Sequence, residues 1–297
     1  MNWEKEKKSW PNSNLSLFLD SHPHIWHVQD TISCQKKTKK LPTILLIHGA
    51  GASTHSWRLL LTKMRSTFRV ILVDLPGHGF TKLGTKNRSS LELMTEDLDL
   101  MLSKSRIQPN LIIGHSAGSA VAIKLGLISK LKIDGILCLN GALGNFSGLA
   151  GILYPFLAKF LAMSPFTVPL FTSLYSSKHQ VEKILKMTGS KISTDGMEYY
   201  KRLISDKNHV AGTLAMMSQW NLNQLAREWH NLDLPISFIL GEKDSVVQNL
   251  DSIKASKEII FSKVQINKNH GHLMHEENPS LISSQIRSFY EKCVPCI

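Results

Sequence analysis

The stretch Leu111-Ile112-Ile113-Gly114-His115-Ser116-Ala117-Gly118 constrains what this chain can fold into more than any other. An apolar run of strand character, 111–113, meets Gly-x-Ser-x-Gly, and small helix-compatible residues continue to Ala122. A backbone that passes from strand to helix in so few residues turns sharply and holds Ser116, strained, at the tip. Gly114 and Gly118 flank it because side chains there would collide where strand and helix approach. The Ala117 N–H, at the helix start, is expected to face an oxyanion formed beside Ser116.

The rest of the chain supplies the sheet that such a turn needs. Thr43–Ile47, Arg69–Val73, Asp134–Leu139, Ile236–Leu240 and Val264–Ile266 are apolar runs of strand length. Continuous apolar strands are buried on both faces, which marks a parallel sheet. Helical patterns lie between them at His55–Met64, Ser90–Ser103 (apolar at 91, 94, 98 and 102), Asp251–Lys257 and Pro279–Lys292. The alternation predicts a mostly parallel, doubly wound α/β sheet. Before it, Ile25–Val28 reads as a short strand and Asn14–Leu19 as a short helix. The glycine-rich turn His48-Gly49-Ala50-Gly51 lacks the Gly-Lys-Ser/Thr of a phosphate loop. It fits a second oxyanion wall, with the Ala50 N–H facing Ser116.

Residues 141–220 break the rhythm, since no strand pattern appears there. Gly148–Phe171 is apolar, but Pro155, Pro165, Pro169 and Lys159 argue for short helices rather than a membrane span. The expected organisation is a core of residues 1–140 and 221–297 with an inserted helical lid at 141–220. A lid that also touches a membrane surface is the alternative.

Composition excludes several function classes. The net charge is +12, but 27 lysines stand against 8 arginines, with no arginine–aromatic cluster of the kind that reads bases. No nucleic-acid partner is expected. The densest run, Lys36-Lys37-x-Lys39-Lys40, reads as a solvated loop, or more sharply as attraction to anionic lipid or an acidic partner. Cys138 falls in an apolar strand, and Cys293-Val-Pro-Cys296 has redox spacing without a βαβ context, so it reads as a free tail. The charged N-terminus is followed by no apolar signal core, which makes a cytoplasmic protein the expectation. Thirteen histidines include no His-x-x-x-His on a helix and no zinc-spaced quartet, so neither metal nor cofactor is expected.

A serine hydroxyl attacks only when a base removes its proton, and a third group must orient that base. Asp244 follows the first strand after the lid and His272 follows the last strand, the serine–acid–histidine order that suits Ser116. Ser116 is therefore the expected nucleophile, His272 the base and Asp244 the orienting acid. His272 is preferred to His270 and His275 because it follows glycine in that turn. Asp74 precedes the nucleophile and fits better as a brace for Gly77-His78-Gly79. Asn140, at the alternative acid position, carries no charge. His48 and His115 read as structural hydrogen bonders and Glu242 as solvent-facing.

The motifs His48-Gly49-Ala50-Gly51, Asp74-Leu-Pro-Gly-His-Gly79, Gly114–Gly118, Gly241-x-x-Asp244 and Gly271-His272 with Glu277-x-Pro279 resemble the α/β-hydrolase superfamily. A narrower likeness runs over nearly the whole chain, through Trp10-Pro-Asn12, Trp26-His-Val-Gln29, Leu139–Leu143, Thr188-Gly-Ser190 and His209–Trp220. These are similar to the magnesium-chelatase accessory family (BchO) of bacteriochlorophyll gene clusters. The resemblance implies a role near magnesium insertion into protoporphyrin, with magnesium chelatase as a partner, and does not by itself supply a reaction. A small-molecule substrate such as a tetrapyrrole or its ester is expected, and the lysine-rich run and apolar lid make peripheral membrane contact a further expectation. Val247-Gln248 lacks the proline often found after the acid. Two readings stand: a serine hydrolase on an ester-like bond, and a non-catalytic porphyrin-binding or chelatase-assisting scaffold.

Overall fold

The computed structural model describes residues 1–34, 41–144 and 166–293. The chain opens with the one-turn helix α1 (Trp3–Glu6), then β1 (Ser16–Ser21), β2 (His24–Asp30) and β3 (Thr43–Ile47). Next come α2 (Arg58–Met64), β4 (Arg69–Val73), α3 (Leu91–Lys104), β5 (Leu111–His115), α4 (Ala117–Ile128) and β6 (Gly135–Leu139). Four helices follow: α5 (Thr167–Tyr175), α6 (Lys178–Lys186), α7 (Thr194–Ser205) and α8 (Lys207–Gln219). The chain then runs through α9 (Asn223–Glu228), β7 (Ile236–Gly241), α10 (Asn249–Glu258), β8 (Ser262–Asn267), α11 (Met274–Glu277) and α12 (Pro279–Cys293).

Eight strands form one sheet in the order β1-β2-β4-β3-β5-β6-β7-β8. The β1–β2 and β2–β4 pairs are antiparallel and the other five parallel. The apolar runs split by alternation between two cores. Leu45, Ile47, Ile71, Val73, Ile112, Ile136 and Cys138 enter one face with α3 and α4. Ile44, Leu46, Val70, Leu72, Leu111, Ile113, Leu137 and Leu139 enter the other with α2 and α12. Each such side chain gains about 1.5–3 kcal/mol on burial, so these strands tolerate no polar face.

The expected helix over Asn14–Leu19 is a correction. Ser13–Leu15 makes one 3-10 turn, and Ser16–Ser21 is a strand paired with β2 from Ser16↔Gln29 to Ser21↔His24. Local pattern misleads here because β1 is an edge strand whose Leu17 and Phe18 stay exposed. The open ladder of β2 decides its conformation.

The part of 141–220 that is described holds α5–α8 and no strand, and Pro169 sits in the first turn of α5, where a missing N–H costs nothing. No helix among the described residues is long and apolar enough to cross a membrane. The Lys36–Lys40 run, residues 148–165 of the apolar stretch and Cys296 lie outside the described residues. Parallel pairing brings the C-terminal ends of β3 to β8 to one edge: Ile47 pairs with Gly114, His115 with Leu139, and Gly241 with Asn267. Every turn singled out above leaves the sheet there.

Candidate active site

Ser116 stands between β5 and α4 at φ 52° and ψ −120°, a conformation L-residues avoid, at a cost of about 1–3 kcal/mol. Its backbone is pinned from both sides: its N–H donates to Leu139 O at 3.0 Å, and its carbonyl accepts from Ser119 and Ala142, each at 3.0 Å. The flanking glycines are required by contact. A Cβ on Gly114 would lie 2.2 Å from Gly118 O, and one on Gly118 would lie 2.3 Å from Ile47 O. A Cβ on Gly49 would come within 2.8 Å of Ser116 Cβ, so the Gly49–Ala50 turn lies directly against the serine. Ala117 is the first residue of α4, where a helix leaves its amides without internal partners.

The side chains of Asp244 and His272 meet in a hydrogen bond. His272 Nδ1–H donates to Asp244 Oδ2 at 2.7 Å, with the acid's side chain fully buried. That bond leaves Nε2 as the ring's lone-pair nitrogen. Asp244 also accepts from Asn140 Nδ2 at 2.5 Å and from the Val246 and Val247 N–H groups at 2.8 and 3.0 Å. Burial pushes its pKa up, but the His272 pairing and these donors outweigh it and hold the carboxyl below its ordinary value. Asn140, at φ 47°, thus fills the alternative acid position as a donor to the acid.

Of the other two histidines in the region, His270 Nδ1 bonds Lys268 O, while His275 is buried against Trp57 and His115 at 4.4 and 4.5 Å between ring centres. His115 Nε2–H donates to the His272 carbonyl at 2.9 Å, joining the residue before the serine to the base. Burial, then the nearby His272, depress the His115 pKa to about 3 and keep it neutral. Glu242 is exposed and accepts from Asn269 N.

The turns after β3 and β4 are braced by neutral imidazoles and one carboxylate. His48 donates to Gly49 O at 2.7 Å and accepts from Leu75 N at 3.0 Å. Asp74 accepts from His27 Nδ1 at 2.6 Å, from Phe80 N at 3.0 Å and from Thr54 N at 2.7 Å, so it holds the 77–79 turn. From the helical insertion, His209 accepts from Gly79 N at 3.0 Å and donates to Gly51 O at 3.2 Å. Desolvation brings its pKa down to about 4. Tyr200 donates to Glu276 at 2.7 Å, and Glu276 pairs with Arg58, a buried link between insertion and core. The contacts of Asn140, His209 and this network leave no signal in the sequence, because their partners lie far away in the chain. Among the described residues no group of three or more His, Cys, Asp or Glu could hold a metal ion.

Residues 42–279 match the family model described as alpha/beta hydrolase fold. This chain belongs to that family. The hydrolase-fold chain is also 35% identical over 95% of its length, and 97% of the relative's, to the magnesium-chelatase 30 kDa subunit of Rhodobacter capsulatus. Solved structures agree on the fold. An evolved variant of potato epoxide hydrolase superposes with TM-score 0.75 at 18% identity, covering 93% of this chain and 99% of that one. A thermophilic esterase from Thermogutta terrifontis gives TM-score 0.68 at 18% identity over 94% and 98%.

Proposed function

We propose that the chain is a serine hydrolase acting on an ester-like bond of a tetrapyrrole, in the service of a magnesium chelatase, with residues 141–220 as its lid. One observation carries the catalytic part: His272, oriented by the buried Asp244, accepts through its carbonyl from His115, the residue before the strained Ser116. In the reaction Ser116 Oγ attacks the carbonyl carbon while His272 Nε2 takes its proton. The proton then passes to the departing alkoxide as the carbonyl bond to it breaks. Water repeats the sequence on the acyl-enzyme and frees Ser116. The Ala50 and Ala117 N–H groups receive the oxyanion, each lowering the barrier by about 3 kcal/mol. The chelatase setting is supported by the 35% identity to a chelatase subunit; a cytoplasmic protein with peripheral membrane contact is a further part of the proposal.

A second reading has one support: that relative is named as a chelatase subunit and not as a hydrolase. On it, the fold is a porphyrin-holding scaffold. Fluorophosphonate treatment of wild type and Ser116→Ala, with mapping of the modified peptide, separates the two. Labelling at Ser116 alone supports the hydrolase. No labelling of folded wild type, with porphyrin binding that survives Ser116→Ala, replaces it with the scaffold.

A further inference from the structure

The segment Met187–Lys191, between α6 and α7, belongs to the helical insertion yet also bonds to the turns that carry Asp244 and His272. It ends α6 compactly: Thr188 N and Oγ1 both donate to Leu185 O, and Gly189 adopts φ +73°. Outward from that stop, the Thr188 carbonyl accepts from His272 N at 3.0 Å, and the Ser190 hydroxyl accepts from Leu273 N at 2.7 Å. Glu277 bridges the two regions, its carboxylate taking Lys191 N at 2.9 Å and Gly271 N at 2.8 Å. On the acid side Ser245 Oγ donates to Met187 O at 2.6 Å.

Sterics leave no slack in this arrangement. A Cβ on Gly189 would sit 2.0 Å from Lys243 O, and one on Gly271 would sit 2.4 Å from the Gly189 carbonyl carbon. Three consecutive amides around the base, those of Gly271, His272 and Leu273, thus find their acceptors in this segment or in the carboxylate that shares it. None of the three bonds belongs to the sheet. A buried amide without an acceptor costs free energy, so the turn follows whatever supplies the acceptors.

We infer that Met187–Lys191 together with Glu277 is a positioning clasp, through which the seating of the helical insertion sets the alignment of His272 against Asp244. The inference rests on the reading of these two residues as base and acid. It couples entry to the site with its chemistry: when the insertion is lifted the base turn loses two acceptors, the Thr188 carbonyl and the Ser190 hydroxyl, and Glu277 loses Lys191 N; when it seats, all three contacts return. Ser190 and Glu277 act through His272 and are positioning residues.

Two readouts test this on the full chain: the downfield proton resonance of His272 Nδ1–H, assigned by its loss in His272→Ala, and the rate of Ser116 labelling as a function of pH. In Ser190→Ala/Glu277→Gln the resonance should broaden or shift, the labelling rate should fall about 10- to 100-fold, and the pH midpoint of labelling should move. Ser190→Thr keeps the hydroxyl that accepts from Leu273 N and should retain most of the rate that Ser190→Ala loses. Ser193→Ala removes the cap of α7 without touching either turn, and should lower thermal stability while leaving both readouts alone. An unchanged resonance and rate in the double variant overturn the clasp. A wild-type protein that shows the resonance but is not labelled overturns the hydrolase reading, and the resonance in the variants still decides the clasp.

Discussion

Two aspartate–histidine pairs sit at strand ends on the same edge of the sheet, with nearly the same geometry. His27 Nδ1–H donates to Asp74 at 2.6 Å, and His272 Nδ1–H donates to Asp244 at 2.7 Å. They differ at the far nitrogen. His27 Nε2 accepts from the Ser16 hydroxyl at 2.9 Å, and both partners are sealed from solvent. His272 Nε2 has no hydrogen-bond partner among the described residues, and its ring retains 7% exposure. A dyad therefore says little about chemistry by itself. The first is a brace holding the 77–79 turn; the second leaves its far nitrogen without a hydrogen-bond partner among the described residues.

The largest test of that contrast is His272→Ala against His27→Ala. Losing His272 should lower the rate of Ser116 labelling about 10⁴-fold or more, with little change in melting temperature. His27→Ala should leave labelling per folded molecule nearly intact; a comparable loss of labelling there would erase the distinction between the pairs. Next in size, Asp74→Asn breaks a fully buried pair, which should cost about 3–5 kcal/mol in urea unfolding. Asp244→Asn should cost less stability and far more reactivity.

A finer probe is Asn140→Ala, which removes one donor from Asp244 while keeping the dyad. Hydrogen bonds to charged groups are worth about 1.5–3 kcal/mol, so labelling should slow by roughly 10- to 100-fold, an effect read from the second-order rate constant. The smallest effect is in the pH dependence of stability. The folded His115 titrates at about 3, below the ordinary value of 6.5, so the unfolded chain binds its proton first. The stability it contributes is complete above pH 6.5 and is lost as pH falls toward 3. His115→Gln should reduce the slope of unfolding free energy against pH by about 1.4 kcal/mol per unit within that window, measured by urea titrations at pH 6 and pH 5. An unchanged slope would mean that His115 is not held neutral.

Much of this architecture was legible before any coordinates. Strands buried on both faces must be apolar at every position, so Thr43–Ile47 and Leu111–Ile113 announce themselves. Gly114 is dictated by a contact within a few residues of the chain, with Gly118 O, whereas Gly118 is required by the distant Ile47 carbonyl. The edge strand β1 is not legible in this way, because half its side chains face water and only its partner makes it a strand.

Side-chain roles divide in the same way. The sequence alone determined the parallel sheet, the strained serine and a short choice of acids and bases, because each follows from local periodicity or from position at a strand end. Tertiary structure decided that Asn140 donates to Asp244 and that Thr188–Lys191 grips the turn carrying His272. Those contacts join residues as many as 104 positions apart. Hydrogen bonds at such separation leave no periodic trace in a chain, and only the packing of the sheet edge against the helical insertion brings the groups together.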